Sequence, residues 1–178
     1  MRFFPGAIHR KIDVKLIEAR DRHFAWMLGK IKTMPGLKLP PGGVDIPETL
    51  ILLRNLTSQL RKEGCRASWM VVSGREVIGL CSYTQLPDAY GDVRFGYGIA
   101  ASRRCRGYGR AAVAAVIEKT RRDPAVRRLV AETATNNIPS HRILECNGFV
   151  RVGSRLDPED GVLIVWQRDV ADRETAVA

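Results

Sequence analysis

Hydrophobic and polar positions along this chain change period several times, and each change marks an element. Val14 to Ala19 alternates weakly and predicts a first strand. Asp21 to Lys30 takes a helical period, with Phe24, Met27 and Leu28 inward and Asp21 placed to cap it. Thr33 to Ile46 has no period and holds Pro35, Gly36, Pro40, Pro41, Gly42 and Gly43, so a long loop is expected. From Pro47 to Lys62, Leu50, Leu53, Leu56 and Leu60 form one stripe of an amphipathic helix. Pro47 and Glu48 suit its first turn and Gly64 its end.

The period then drops to two. Ala67 to Val72 and Glu76 to Thr84 read as a hairpin closed by Ser73-Gly74-Arg75, and Val93 to Ile99 follows a turn at Pro87 to Asp92. Gly107 to Arg122 is the strongest helix, with Ala112, Val113, Val116 and Ile117 inward and Asp123-Pro124 ending it. Arg128 to Thr133 predicts a strand, Ile138 to Cys146 a short helix, and Phe149 to Gly153 and Gly161 to Asp169 two further strands, with a tail from Val170 expected to fray. The order β-α-α-β-β-β-α-β-α-β-β defines one α/β domain with a mixed sheet.

Composition narrows the class. A chain of 178 residues with 45% apolar content can bury a core without disulfides or metals, which excludes the disordered class. The opening Met1-Arg2-Phe3-Phe4-Pro5-Gly6 breaks before any apolar stretch long enough for a signal peptide, and no later run is long enough to span a bilayer. Cys65, Cys81, Cys105 and Cys146 are scattered without metal-ligand spacing, which suits reduced thiols in a cytoplasmic protein with no metal. The net charge of +10 is compatible with RNA, a membrane surface or an anionic cofactor. Aromatic content of 7% and the lack of a basic, aromatic-interleaved helix make nucleic acid an unlikely partner.

The most informative segment is Ile99-Ala100-Ala101-Ser102-Arg103-Arg104-Cys105-Arg106-Gly107-Tyr108-Gly109-Arg110. A strand enters a basic turn, then two alternate glycines, then the long helix. Unpaired amides and positive partial charge at a helix start attract anions. Glycines let the backbone close on a pyrophosphate, and Arg103, Arg104, Arg106 and Arg110 can fork onto phosphate oxygens. Neither a P-loop nor a three-glycine dinucleotide fingerprint is present. A basic loop whose glycines merely start a helix is the bland alternative.

Arg104-x-x-Gly107-x-Gly109 resembles the Q/R-x-x-G-x-G/A motif of the GNAT superfamily of N-acetyltransferases. Phe95-Gly96-Tyr97-Gly98-Ile99 resembles the strand before it. Asn137-Ile138-Pro139-Ser140-His141-Arg142-Ile143-Leu144-Glu145-Cys146-Asn147-Gly148-Phe149 resembles the family's N-x-x-S-x-x-x-L-E-K-x-G-F signature, closest to the branch with the ribosomal-protein N-terminal acetyltransferases. The resemblance covers roughly residues 67–169. It implies a single GNAT-like α/β (α+β) domain over residues 1–178, whose central mixed, mostly antiparallel, twisted sheet is flanked by helices. It also implies acetyl-CoA as co-substrate and an amine acceptor: a protein N-terminus, a lysine or a small molecule. Backbone at Ile99 and Ala101 would pair with the pantetheine arm, and amides of Cys105, Arg106, Gly107, Tyr108, Gly109 and Arg110 would hold the pyrophosphate. Asn137 would touch the pantetheine or simply cap its helix. Ser140 and Arg142 would lie near the coenzyme's far side, unless Arg142 is plain surface. A homodimer is left open.

A lysine-like ammonium leaves roughly one molecule in a few thousand deprotonated at neutral pH, an α-amine roughly one in ten, so a base matters more for the first. Glu132, mid-strand, is the candidate base, with an ion-paired strand residue as the alternative. Tyr97 either donates to a carbonyl, lines the acceptor cleft or is core. Departures from the family pattern fall at Leu144, where many members carry a tyrosine acid, at Val93 and Arg94, where relatives often have an acidic residue, and at Cys146, where lysine is usual. His9, His23 and His141 form no triad, and a nucleophilic Cys105 is disfavoured. The loop from Thr33 to Ile46 and the Pro47 helix are expected to wall the acceptor site, the loop ordering on binding. Two other classes stay open: an acyl-CoA-binding module without catalysis, and a basic protein that binds ribosomal RNA.

Overall fold

The computed structural model describes residues 12–66 and 68–170; His9 and the chain after Val170 lie outside them. Seven strands form one sheet: β1 (Lys15–Glu18), β2 (Ser68–Ser73), β3 (Glu76–Tyr83), β4 (Asp92–Ile99), β5 (Arg128–Ala134), β6 (Val150–Asp157) and β7 (Gly161–Asp169). Their order is β1-β2-β3-β4-β5-β7-β6. Helices α1 (Asp21–Met27) and α2 (Pro47–Lys62) precede β2, α3 (Tyr108–Thr120) joins β4 to β5, and α4 (Ile138–Cys146) follows β5.

Every strand pairing is antiparallel except β4 with β5. Parallel neighbours need a crossover, and α3 supplies it. It places its start at the end of β4, where ligands collect in α/β folds. Alternation along the strands splits the core across the sheet. Val71, Ile78, Val93, Val113, Leu129 and Leu144 pack in one cluster on the α3 and α4 side, and Phe24, Trp26, Leu50, Met70, Val77 and Leu80 in a second with α1 and α2. At the centre, β3 and β4 approach so closely that a Cβ on Gly79 would lie 2.3 Å from the Gly98 carbonyl oxygen, so only glycine fits.

Several details differ from the sequence expectation, some for local reasons and some through contacts distant in the chain. α1 stops at Met27 because Gly29 turns left-handed (φ 74°) and donates its N–H to the Trp26 carbonyl at 2.9 Å. Asp21 does not cap it: Arg20 is the N-cap, and the Asp21 carboxylate accepts from Arg54 Nε and Nη2 at 2.5 and 2.9 Å. β6 runs to Asp157 instead of Gly153, past a bulge between Arg151 and Gly153. Val170 is buried, with its N–H on the Arg127 carbonyl at 2.9 Å, so the chain is still held at that residue; the rest of the expected tail lies outside the described residues. The segment before α2 is irregular as expected but already anchored. Met34 and Val44 are buried in the second core, Lys38 forms a β-bridge with Glu76, and Ser102 Oγ donates to the Pro41 carbonyl at 2.8 Å.

Candidate active site

β4 and β5 part company early. Their register runs through Asp92–Arg128, Val93–Leu129 and Arg94–Val130 and then ends. Beyond it Phe95 to Ile99 pair only with β3, while β5 continues on β7 to Ala134. The distal half of β4 therefore offers a strand edge that β5 does not fill, which an extended ligand can join by main-chain hydrogen bonds. Ile99 ends that edge.

The basic, glycine-bearing turn stands at the same end. After a short 3₁₀ turn (Ala101–Arg103) the chain adopts left-handed backbone at Cys105 (φ 58°) and again at Gly107 (φ 78°), the N-cap of α3. A non-glycine residue there is uncommon and marks stored strain. Alternating backbone of this kind turns successive amides into a concave nest for anions. No side chain caps α3, and its first intrahelical bond runs from Ala111 N–H to the Gly107 carbonyl at 3.2 Å. The amides of Tyr108, Gly109 and Arg110 thus have no preceding turn to bind, and the helix dipole adds positive potential. A Cβ on Gly107 would meet Ile12 Cδ1 at 2.5 Å; one on Gly109 would meet Ile143 Cδ1 of α4 at 2.7 Å.

The four arginines of this loop divide. Arg103 is taken up within the protein: Nε and Nη2 grip the Glu76 carboxylate at 2.5 and 3.0 Å, tying the turn to β3. Arg104 Nε donates to the Ile99 carbonyl at 3.0 Å, an acceptor that the family resemblance gives to pantetheine. Arg106 and Arg110 are exposed.

On α4, Asn137 is the N-cap, its side chain accepting from Ser140 N–H at 3.3 Å, so the capping role is present whatever else Asn137 does. Ser140 Oγ accepts from the Tyr97 hydroxyl at 3.1 Å, linking β4 to α4 beside the parted strands. Burial pushes the Tyr97 phenol above its ordinary pKa, and the Ser140 hydrogen bond partly opposes this. Tyr97 is half-buried and stacks on Phe95, with centroids 6.1 Å apart, so it belongs to both core and cleft. Arg142 is exposed. Leu144, where many relatives have tyrosine, is fully buried. Cys146 is exposed, and none of the four cysteines is disulfide-bonded. His23 Nδ1 accepts the Arg20 amide at 3.0 Å and His141 Nε2 lies 3.0 Å from the Ala134 carbonyl; both are structural. Among the described residues no group of three or more His, Cys, Asp or Glu could hold a metal.

The opposite face of the sheet carries Glu132. Arg155 forks onto it, Nε to Oε1 at 2.8 Å and Nη2 to Oε2 at 2.6 Å, and Arg94 Nε lies 3.6 Å from Oε1. The Arg155 hydrogen bond, helped by Arg94, holds the carboxyl below its usual range despite the opposing effect of burial. Arg155 also donates Nη1 to Asp157 at 2.8 Å. A carboxylate held this way is ionised and weakly basic. The strand expected from sequence stops at Gly153, four residues short of Asp157, and so leaves out both Arg155 and Asp157.

A groove of about 1640 Å³ lies elsewhere, between β1 and α3, and shares only Gly107 and Arg110 with the basic turn. Among the described residues no helix is long and apolar enough to cross a membrane.

Comparison with known proteins gives this arrangement its class. The family model for the acetyltransferase (GNAT) domain matches residues 19–150, so the chain belongs to the GNAT acetyltransferase family. Similar solved structures include RimL, the ribosomal L7/L12 alpha-N-protein acetyltransferase in complex with coenzyme A, with TM-score 0.68 and 19% identity over 89% of this chain and 96% of that one. An aminoglycoside acetyltransferase in complex with coenzyme A and kanamycin has TM-score 0.67 and 20% identity over 88% and 95%. A spermidine N-acetyltransferase chimera from Vibrio cholerae and hSSAT has TM-score 0.67 and 13% identity, also over 88% and 95%. No curated protein matches the sequence significantly.

Proposed function

We propose that this protein transfers the acetyl group of acetyl-CoA to a primary amine by direct attack in a ternary complex. The observation carrying this reading is the paired left-handed turn at Cys105 and Gly107, opening α3 at the mouth of the β4–β5 split. Amides from Cys105 through Arg110 hold the diphosphate, Arg106 and Arg110 add charge, and backbone at Ile99 and Ala101 takes the pantetheine arm, displacing Arg104 from the Ile99 carbonyl. Backbone N–H groups late in β4 polarise the thioester carbonyl.

The neutral amine forms the N–C bond as the C–S bond breaks, the electron pair leaves on sulfur, and nitrogen sheds one proton to the solvent-open cleft. A coenzyme thiol has a pKa of about 8.5, so the thiolate needs little help. The Tyr97–Ser140 pair lies where a hydroxyl can support it. Glu132 acts by orienting Arg94 and Arg155, since its guanidinium partners lower its basicity. Glu132→Gln is then expected to raise acceptor KM several-fold while leaving the acidic limb of the pH–rate profile in place. Loss of that limb would return the base role to Glu132. A cytoplasmic setting accords with cysteines that form no disulfide.

Titration calorimetry with acetyl-CoA, followed by thiol release with a panel of protein, polyamine and aminoglycoside amines, tests the reading. Binding on the order of micromolar and amine-dependent release are expected. Binding without release would leave a coenzyme-binding module, and absence of binding would remove both.

A further inference from the structure

The face of β4 that carries Arg94 continues with Gly96 and Gly98, two positions without side chains. A Cβ on Gly96 would meet nothing within 4 Å, and one on Gly98 would meet a single group, the Asp45 carboxylate, with Oδ2 at 3.6 Å. The strand thus has an open slot on this face, overhung at one end by one acidic side chain. Asp45 comes from the segment before α2, held by the Lys38–Glu76 bridge, the buried Val44 and the Ser102–Pro41 bond. Its Oδ1 accepts Ile46 N–H at 2.8 Å, which fixes the carboxylate, and among the described residues no hydrogen bond or ion pair occupies Oδ2. Glu132, a carboxylate on the same face, is held by Arg155 and Arg94.

We infer that Asp45 is the acceptor-binding residue of the proposed transfer, taking an aliphatic primary amine that is cationic in solution. This rests on the acetyl-CoA reading above. A carboxylate beside Gly98 favours an ammonium over a hydroxyl or an aryl amine through a charge-assisted hydrogen bond. Once the ammonium has given one proton to water through the open slot, one N–H of the neutral amine donated to Oδ2 keeps its lone pair free for a carbonyl lying along the β4 edge. After N–C bond formation and C–S cleavage, the proton shed by nitrogen passes to Asp45, which is exposed and returns it to water. The simpler role, steadying the first turn of α2 through Ile46, leaves Oδ2 idle.

Two coenzyme analogues separate these roles without knowing the natural acceptor. S-(2-aminoethyl)-CoA places an ammonium just beyond the sulfur, and S-propyl-CoA is its uncharged isostere. By calorimetry the intact protein is expected to bind the amino analogue about tenfold more tightly, a preference appropriate to one partly exposed charge-assisted contact. In Asp45→Asn the preference is expected to fall to about one, with S-propyl-CoA affinity and Tm unchanged. No preference in the wild type, or an equal preference in both proteins, overturns the assignment while leaving the acetyl-CoA reading intact. If neither analogue binds, the acetyl-CoA reading fails first and takes this one with it.

Discussion

Gly107→Val is expected to lower acetyl-CoA affinity by at least about a hundredfold while leaving a folded protein. The position has φ 78°, where a β-branched residue is a steric outlier costing about 1–3 kcal/mol. Its Cβ would also fall 2.5 Å from Ile12 Cδ1. Ile12 is the far end of a flexible side chain and can move, so the fold tolerates the change. The backbone relaxes by leaving the left-handed region, and that rotation turns the amides of Gly107 and Tyr108 away from the nest with Cys105. Losing two or three charge-assisted amide contacts to a diphosphate removes about 3 kcal/mol or more, which is the stated loss in affinity. Calorimetry with acetyl-CoA reads the effect, and circular dichroism checks the fold. An affinity within a factor of two of wild type would mean that this turn does not hold the coenzyme.

Leu144→Ala is expected to give the largest loss of stability among single changes near the site. Leu144 is fully buried and sits in the main core cluster with Phe149 and Val113. α4 is only nine residues long and cannot stand alone, so its packing holds it in place. Truncating a buried leucine costs about 2–5 kcal/mol, lost transfer energy plus the cavity. In a chain of this size that lowers Tm by roughly 5–15 °C, measurable by thermal scan. Because α4 also carries Ser140 against Tyr97, thiol release at a temperature where the variant stays folded should fall as well. A Tm within 2 °C of wild type would mean that α4 takes little of its stability from this contact. The same burial explains the departure from the family pattern: here the position serves packing.

What could be read in advance followed from how local each feature was. The α3 stripe, the β2–β3 hairpin and the glycine-bearing turn before α3 each depend on residues within a few positions of one another, and all appear where the pattern placed them. Side-chain roles departed from expectation where a long-range contact decided them. Asp21 has the chemistry of a cap, yet Arg54, 33 residues away, takes its carboxylate. Leu144 carries the family signature in a spacing any reader can see, but only packing shows that it faces the core.

By itself the sequence determined the order of elements, the glycine-bearing helix start and the basic turn before it, because backbone conformation, periodicity and helix-end charge are near-neighbour properties. Tertiary structure alone decided which charges are occupied. Arg155 reaches Glu132 across 23 residues, Tyr97 reaches Ser140 across 43, and Arg103 reaches Glu76 across 27. Only folding decides whether a carboxylate meets a guanidinium or open space, and that contact sets whether it is ion-paired or free for a substrate. Glu132 and Asp45 look alike in the chain; the sheet gives one two arginines and leaves the other over an empty stretch of β4.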